Sequence, residues 1–382
     1  MKIVYISSST IPSRAANSIH VMKMCQAFAN NGYDVVLLAP DKQVDIELGV
    51  EDVFDYYGVE RKFTVEKITW PSIRGKGYIY GCFAACRAVK QNPDIVFCRN
   101  LIGGYFAALS GKQVIFESHS PVMDSGKISE WFFKKLIKRK EFRKLVVITH
   151  SLMTYYEEKY PSLKGFIQVA PDGADPVNEN INPVALPNSG TRLQVGYVGH
   201  LYQGRGVDIL VDMAKKCLWA DIHFVGGTQE DINLWKKKSD NLSNCFFHGY
   251  MSPRESEKFR ISFDVLVSPY QKSVSVAGSG SVDTANWMSP LKVFEYMAAK
   301  KPIICSDLPV LGEILTHNYN ALMCAPDNVD EWVQALDKLR LDDALAKQLA
   351  NQAHQDFIVN YTWQARAESL LGNNNNSVNY FQ

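Results

Sequence analysis

No stretch of this chain approaches the ~18 uninterrupted apolar residues that a membrane-spanning helix needs. A short apolar run between Met1 and Ser9 meets Ser and Pro too early to serve as a signal peptide, so a cytoplasmic protein is expected. Paired cysteines are missing too. The eight cysteines stand singly at 25, 82, 86, 98, 217, 245, 305 and 324, several of them inside apolar runs such as Asp94–Cys98. With no Cys-x-x-Cys pair, reduced and buried thiols are expected, and neither a disulfide frame nor a zinc site. A charge of one sign is absent: the formal net charge is +1, which argues against a general nucleic-acid binder. A hydrophobic content of 46% argues against a disordered chain. The turn after the first apolar run carries no glycine, so the Gly-x-Gly-x-x-Gly fingerprint is lacking and hydride chemistry on NAD is disfavoured.

What is present is a repeated β-α pattern. Lys2–Ser7 is rich in β-branched residues and fit for a buried parallel strand. An amphipathic helix over about Ser18–Asn31, Gly32 and a second apolar run, Asp34–Ala39, complete a β-α-β unit. Further strands are expected at Asp94–Cys98, Gln113–Glu117, Leu145–Ile148 and Phe166–Ala170. A Pro- and Asn-rich segment over 176–191 reads as a linker, with a turn cluster at 171–175 before it. A second series follows at Leu193–Val198, Asp221–Val225, Cys245–Phe247, Asp264–Ser268 and Pro302–Cys305. The 382 residues are enough for two domains, and two α/β series imply them. Ligands of such sheets bind beyond the carboxyl ends of the strands, so post-strand polar residues carry the most information.

The most informative stretch is Ser289-Pro290-Leu291-Lys292-Val293-Phe294-Glu295. Ser before Pro reads as a helix start, with the Ser hydroxyl as cap and Pro in the first helical position. The amides of Leu291 and Lys292 would then lie at the positive end of the helix dipole, an anion seat suited to phosphate. Lys292 adds a full charge, and Glu295 lies one turn deeper on the same face. Phosphate first and polyol next describes a nucleoside diphosphate. The plainer reading is a capped helix with a surface Lys–Glu pair.

Residues 289–315 closely resemble the donor-binding segment of family 4 glycosyltransferases, and the resemblance extends over nearly the whole chain. That family consists of retaining enzymes of the α/β GT-B fold, two Rossmann-like domains facing each other across a cleft. The resemblance implies that Glu295 is the second glutamate of a pair and binds the donor ribose. The first glutamate, eight residues earlier, is replaced by Trp287, so recognition of the transferred sugar must differ; Asp283 or backbone amides beside Met288 are candidates.

In Gly199-His200-Leu201-Tyr202-Gln203-Gly204-Arg205-Gly206, a glycine-flanked arginine opens a helix and can clamp a diphosphate. The resemblance places a phosphate-binding lysine at the Arg205 position and often an arginine at His200. Gly226-Gly227-Thr228 and His248-Gly249-Tyr250-Met251 are post-strand loops whose glycines admit a flat base, and the family holds the base there mainly through backbone groups. Donor contacts are accordingly expected at Gly199, His200, Gly226, Gly227, Tyr250, Met251, Ser289, Pro290 and Leu291. Residues 271–288 read as a polar lid over the donor sugar. His119, directly after a strand, matches a family histidine close to the transferred sugar, and Arg99 is a second candidate. Ala16-Asn17 replaces a Gly-Gly that many members place near the donor phosphates.

Residues 131–144 read as a basic helix with seven bases in eleven residues from Lys134. One reading is a core-facing helix with a solvated basic face; the other is peripheral contact with the inner face of an anionic membrane. The expected organisation is an acceptor-side domain over 1–178 completed by a C-terminal helix over 360–372, a linker over 179–191, a donor domain over 192–358 and a disordered tail over 373–382. The expected activity is retaining transfer of a sugar from a nucleotide-sugar donor to a hydroxyl of a glycan or lipid-linked acceptor, with His119, Arg205, Lys292 and Glu295 at the reacting centre. No Asp-x-Asp pair stands out, so neither a metal nor another cofactor is expected. A GT-B nucleotide-sugar 2-epimerase and a non-catalytic nucleotide-sugar-binding subunit are the alternatives.

Overall fold

A computed structural model of the chain describes residues 1–240, 242–276 and 279–372. The chain forms two compact units, Met1–Asp172 together with the stretch from Trp363, and Gly173–Thr362.

The first unit is built on seven parallel strands: β1 (Lys2–Ile6), β2 (Asp34–Asp41), β3 (Thr64–Thr69), β4 (Ile95–Cys98), β5 (Gln113–Ser118), β6 (Phe142–Val147) and β7 (Ile167–Val169). Their spatial order is β3-β2-β1-β4-β5-β6-β7. β1 pairs with β2 through Ile3↔Val35 and Tyr5↔Leu37, and with β4 through Tyr5↔Phe97. Ile3, Val4, Tyr5 and Ile6 are all fully buried, as expected of a central strand covered on both faces. The order reverses between β1 and β4, and this switch point is where doubly wound sheets offer a crevice to ligands.

The second unit repeats the plan with β8 (Leu193–Val198), β9 (Ala220–Val225), β10 (Cys245–Gly249), β11 (Val265–Ser268), a small hairpin of β12 (Ser275–Val276) and β13 (Ser279–Asp283), then β14 (Ile303–Ser306) and β15 (Leu322–Cys324). The large sheet runs β10-β9-β8-β11-β14-β15, with its switch point between β8 and β11. Alternation along the strands builds two cores on its faces. Leu266 joins one with Phe294, Tyr296 and Met297. Val265 and Val267 join the other with Tyr197, Phe224 and Trp332.

Three sequence expectations are corrected here. The basic run is not one helix: Lys127–Leu136 is helical, and Phe142–Val147 is strand β6. Lys144 is drawn inward to Gln168 Oε1 and the Leu370 carbonyl, at 2.6 and 2.7 Å. The apolar Phe142, Leu145, Val146 and Val147 pack into the sheet core and override the helical spacing of the bases. Second, the helix Leu291–Ala298 has Pro290 at its N-cap with no side-chain cap, so Ser289 lies one residue outside the cap position. Third, segment 271–288 holds the β12–β13 hairpin. Residues 277 and 278 of the expected lid, and the expected tail 373–382, lie outside the described residues. β3 and β15 were not anticipated, because β3 exposes half of its length and β15 has three residues.

All eight cysteines are free; five are buried and Cys86 is exposed, against the expectation of uniform burial. Among the described residues no helix is long and apolar enough to cross a membrane.

Candidate functional site

In the second unit, the turns after β8, β9 and β10 lie against one another. Gly226 N–H donates to the Gly249 carbonyl at 2.7 Å, and Gly199 N–H to the Val225 carbonyl at 2.8 Å. Gly199 and Gly226 have φ of +152° and +128°. A Cβ on Gly226 would run into the Gly199 carbonyl, and one on Gly199 would stand 2.7 Å from Lys292 Nζ. Glycine is required at both positions because backbone and the lysine share that space.

Lys292 is 8% exposed. Its Nζ lies 3.9 Å from the ring centroid of Tyr197 and 4.8 Å from that of Tyr270, a pair of cation–π contacts. Arg205 shares the cage: Nη1 donates to Tyr270 Oη at 3.1 Å and Nη2 to Tyr202 Oη at 3.0 Å. Its buried Nε has no partner. Glu295 does not pair with Lys292, as its place on the helix suggested; it accepts from Arg260 Nη1 at 3.3 Å. Two cations thus stand among aromatic walls with no bonded carboxylate among the described residues. Burial, and then the Arg205 charge, hold the Lys292 ammonium well below its ordinary range. An anion entering here would supply the missing countercharge, and Lys292 itself lies in the first turn of the helix Leu291–Ala298, at the positive end of its dipole.

The remaining donor-side residues are gathered at this end of the sheet. His200 stacks on Tyr202 at 5.1 Å, and its carbonyl accepts from Tyr197 Oη at 2.6 Å. Gly227, at φ +81°, faces Leu201. Tyr250 is engaged with its neighbours, and the Met251 carbonyl accepts from Ser256 Oγ at 3.3 Å. Ser289 is buried beside Pro290. Asp283 is committed to its own turn: Oδ1 accepts from the amides of Val274 and Ala285, both at 2.9 Å. Trp287 N–H closes a turn on the Thr284 carbonyl at 3.0 Å.

In the first unit His119 follows β5 directly, and its Nε2 lies 2.9 Å from Glu117 Oε1. Glu117, 2% exposed, is the centre of a buried charge cluster. The same Oε1 accepts from Arg366 Nη2 at 2.7 Å, and Oε2 from Tyr5 Oη at 3.2 Å. His20 Nε2 lies 3.1 Å from Oε1, off the hydrogen-bond direction, while Nδ1 meets Asp172 Oδ1 at 2.8 Å. Arg366 also donates to the carbonyls of Pro171 and Ala170, at 2.8 and 3.1 Å. Burial alone would raise the Glu117 carboxyl, but His20 and Arg366 outweigh it and hold Glu117 well below the usual range. Burial and the Arg99 charge hold the His119 imidazole down to about 4, so it is neutral at pH 7. Arg99 Nη1 is buried without a partner.

His20, Glu117 and His119 place three ligand-type atoms within 4.8 Å of one another. The Arg366 guanidinium already occupies the carboxylate oxygen they would share, so the cluster is an ionic hub and poorly suited to a further cation. Sequence reasoning missed Tyr197, Tyr202, Tyr270, Arg260, His20, Asp172 and Arg366. Tyr202, Asp172 and Tyr270 carried a signal, as polar residues in the loops just beyond β8, β7 and β11.

Residues 192–342 match the family described as glycosyl transferases group 1, and residues 18–177 match glycosyltransferase family 4. An uncharacterized glycosyltransferase of Methanocaldococcus jannaschii is 28% identical over 193 residues, 49% of either chain. The chain thus matches about half the length of the curated relatives. Among solved structures, sucrose-phosphate synthase from Thermosynechococcus elongatus is similar over 97% of both chains, at a TM-score of 0.71 and 16% identity. Anabaena HepE in complex with UDP and glucose is similar over 97% of this chain and 98% of that one, at 0.70 and 12%.

Proposed function

The chain belongs to the family 4-like glycosyltransferases of GT-B fold, and from that premise we propose that it moves a sugar, with retention of configuration, from a nucleotide-sugar donor to a hydroxyl of a glycan or lipid-linked acceptor. The observation that carries this reading is the buried Lys292 beside the half-buried Arg205, without a bonded carboxylate among the described residues, at the carboxyl ends of β8 and β11.

Parting a sugar from a diphosphate leaves charge on the departing oxygens. Lys292, Arg205 and the amides at Leu291 meet that charge in a dry setting, where a fixed cation acts far more strongly than in water. With two resident cations the leaving group needs no divalent metal, and EDTA should leave turnover intact. The Gly199, Gly226 and Gly249 turns offer backbone to a flat base, and HepE, a structural neighbour, holds UDP. Glu295 would take the ribose hydroxyls while Arg260 holds one of its oxygens in place. His119 would face the transferred sugar, and Asp283 remains a candidate for its recognition, with Oδ1 holding its own turn.

The test is NMR observation of a UDP- or GDP-sugar incubated with the enzyme and a hydroxyl acceptor. The expected result is release of the nucleoside diphosphate with the product anomer matching the donor. An inverted product would overturn the retaining assignment. Tight nucleotide binding with neither transfer nor hydrolysis would turn the reading to a non-catalytic subunit, and conversion of the donor sugar alone to an epimerase.

A further inference from the structure

Glu117 sits at a point where four other side chains converge, and its chemistry constrains a residue that it touches. His20, Arg366, His119 and Tyr5 all reach its two oxygens, and Asp172 and Arg99 lie in the next ring of charge. An ionised carboxylate has no proton to give. The 2.9 Å contact with His119 can therefore be a hydrogen bond only if His119 Nε2 carries the hydrogen. A neutral imidazole protonated on Nε2 has its lone pair on Nδ1, so the identity of residue 117 decides what His119 can do at its other nitrogen.

We propose that Glu117 is a positioning residue: paired with Arg366, it fixes His119 as the Nε2–H tautomer and so makes Nδ1 an acceptor for a hydroxyl of the transferred sugar. The proposal rests on the reading of His119 as a sugar contact. It adds the direction of the hydrogen bond, from sugar to imidazole, and the groups that set it. Arg366 is placed for this by the C-terminal helix Trp363–Leu371, which packs against the helix Ala16–Asn30 that carries His20. Two segments distant in sequence thus converge on one carboxylate. Replacing Glu117 by Met keeps the length but removes both acceptor oxygens, so the tautomer is no longer determined; Gln would not do this, because Arg366 shares Oε1 with His119 and would hold the amide carbonyl there.

The experiment is long-range ¹H–¹⁵N correlation of the imidazoles in ¹⁵N-histidine-labelled protein between pH 6 and 8, with His119 identified by its loss in His119→Ala. The wild type should show His119 neutral with the hydrogen on Nε2 throughout. An Nδ1–H tautomer, or an imidazolium at pH 7, would overturn the proposal without any variant having to fold. In a folded Glu117→Met, the His119 signals should shift toward Nδ1–H. Its kcat should fall by roughly tenfold to a hundredfold, the rate equivalent of one hydrogen bond, with the nucleotide Kd unchanged. His119→Ala should lose as much, and the double variant no more than the worse single one. Full kcat in a folded Glu117→Met would also overturn the proposal. Full activity in His119→Ala with the wild-type tautomer as expected would instead overturn the reading of His119 as a sugar contact.

Discussion

Lys292 holds its ammonium group where little water reaches, against two tyrosine rings and beside a second cation. Burial and Arg205 both lower its proton affinity, so the free site favours the unprotonated amine more than an exposed lysine would. A bound diphosphate reverses the balance. Nucleotide binding is therefore expected to take up protons at Lys292 at a pH below the ordinary lysine range, and affinity should rise as the pH falls there. Calorimetry in buffers of different ionisation enthalpy measures the uptake directly. A binding enthalpy independent of buffer would contradict it. Lys292→Ala should lower turnover by ~10²–10³. Lys292 and Arg205 were legible in the sequence because each opens a helix after a strand. The tyrosine cage was not, since Tyr197 lies within β8 and reads as core, and its role appears only once Lys292 folds over it. His20 was hidden for a similar reason, as one buried position among many on an amphipathic helix.

At the scale of elements, the strands announced themselves through β-branched apolar runs and the crossovers through amphipathic spacing. The failures lie where two patterns overlap. Over 131–144 the bases follow a helical period, but Phe142–Val147 also fit a strand, and pairing with β5 and β7 decides the contest. What survives of the basic helix is Lys127–Leu136, on which Ile128 and Trp131 are 59% and 52% exposed and Lys135 Nζ lies 5.5 Å from the Trp131 ring. Large apolar side chains among lysines match an anionic lipid surface. Cosedimentation with vesicles containing anionic lipid should capture the wild type, and Ile128→Ser combined with Trp131→Ser should reduce capture several-fold with little change in thermal stability. Equal capture of the two proteins would contradict this contact.

At the scale of the whole molecule, both units hold histidines kept neutral by burial. His223 is held down to about 4 by burial and then by His248, at 2.9 Å, and burial lowers His248 itself. His119 is at about 4 in the other unit. Each has a lower pKa folded than its ~6.5 unfolded value, so the unfolded chain binds more protons between about 4 and 6.5. The stability they contribute is complete above about 6.5 and is lost as the pH falls toward 4. Glu117 and Asp172, both lowered in the folded state, act in the same direction at more acid pH. The thermal midpoint should therefore decline steadily from pH 7 to pH 5; a flat or rising profile would contradict the buried neutral state of these rings.

The two-sheet plan was legible because each half repeats a β-α series. Which residues hold a ligand was legible only in part, because the aromatic and ionic supports come from positions that look like ordinary core. The most direct test of the central claim is a thermal-shift panel of UDP, GDP, ADP, dTDP and CMP, with and without EDTA, on wild type and Lys292→Ala. The account predicts stabilisation by one nucleoside diphosphate that is indifferent to EDTA and lost in the variant. No shift with any nucleotide, or an equal shift in Lys292→Ala, would contradict it.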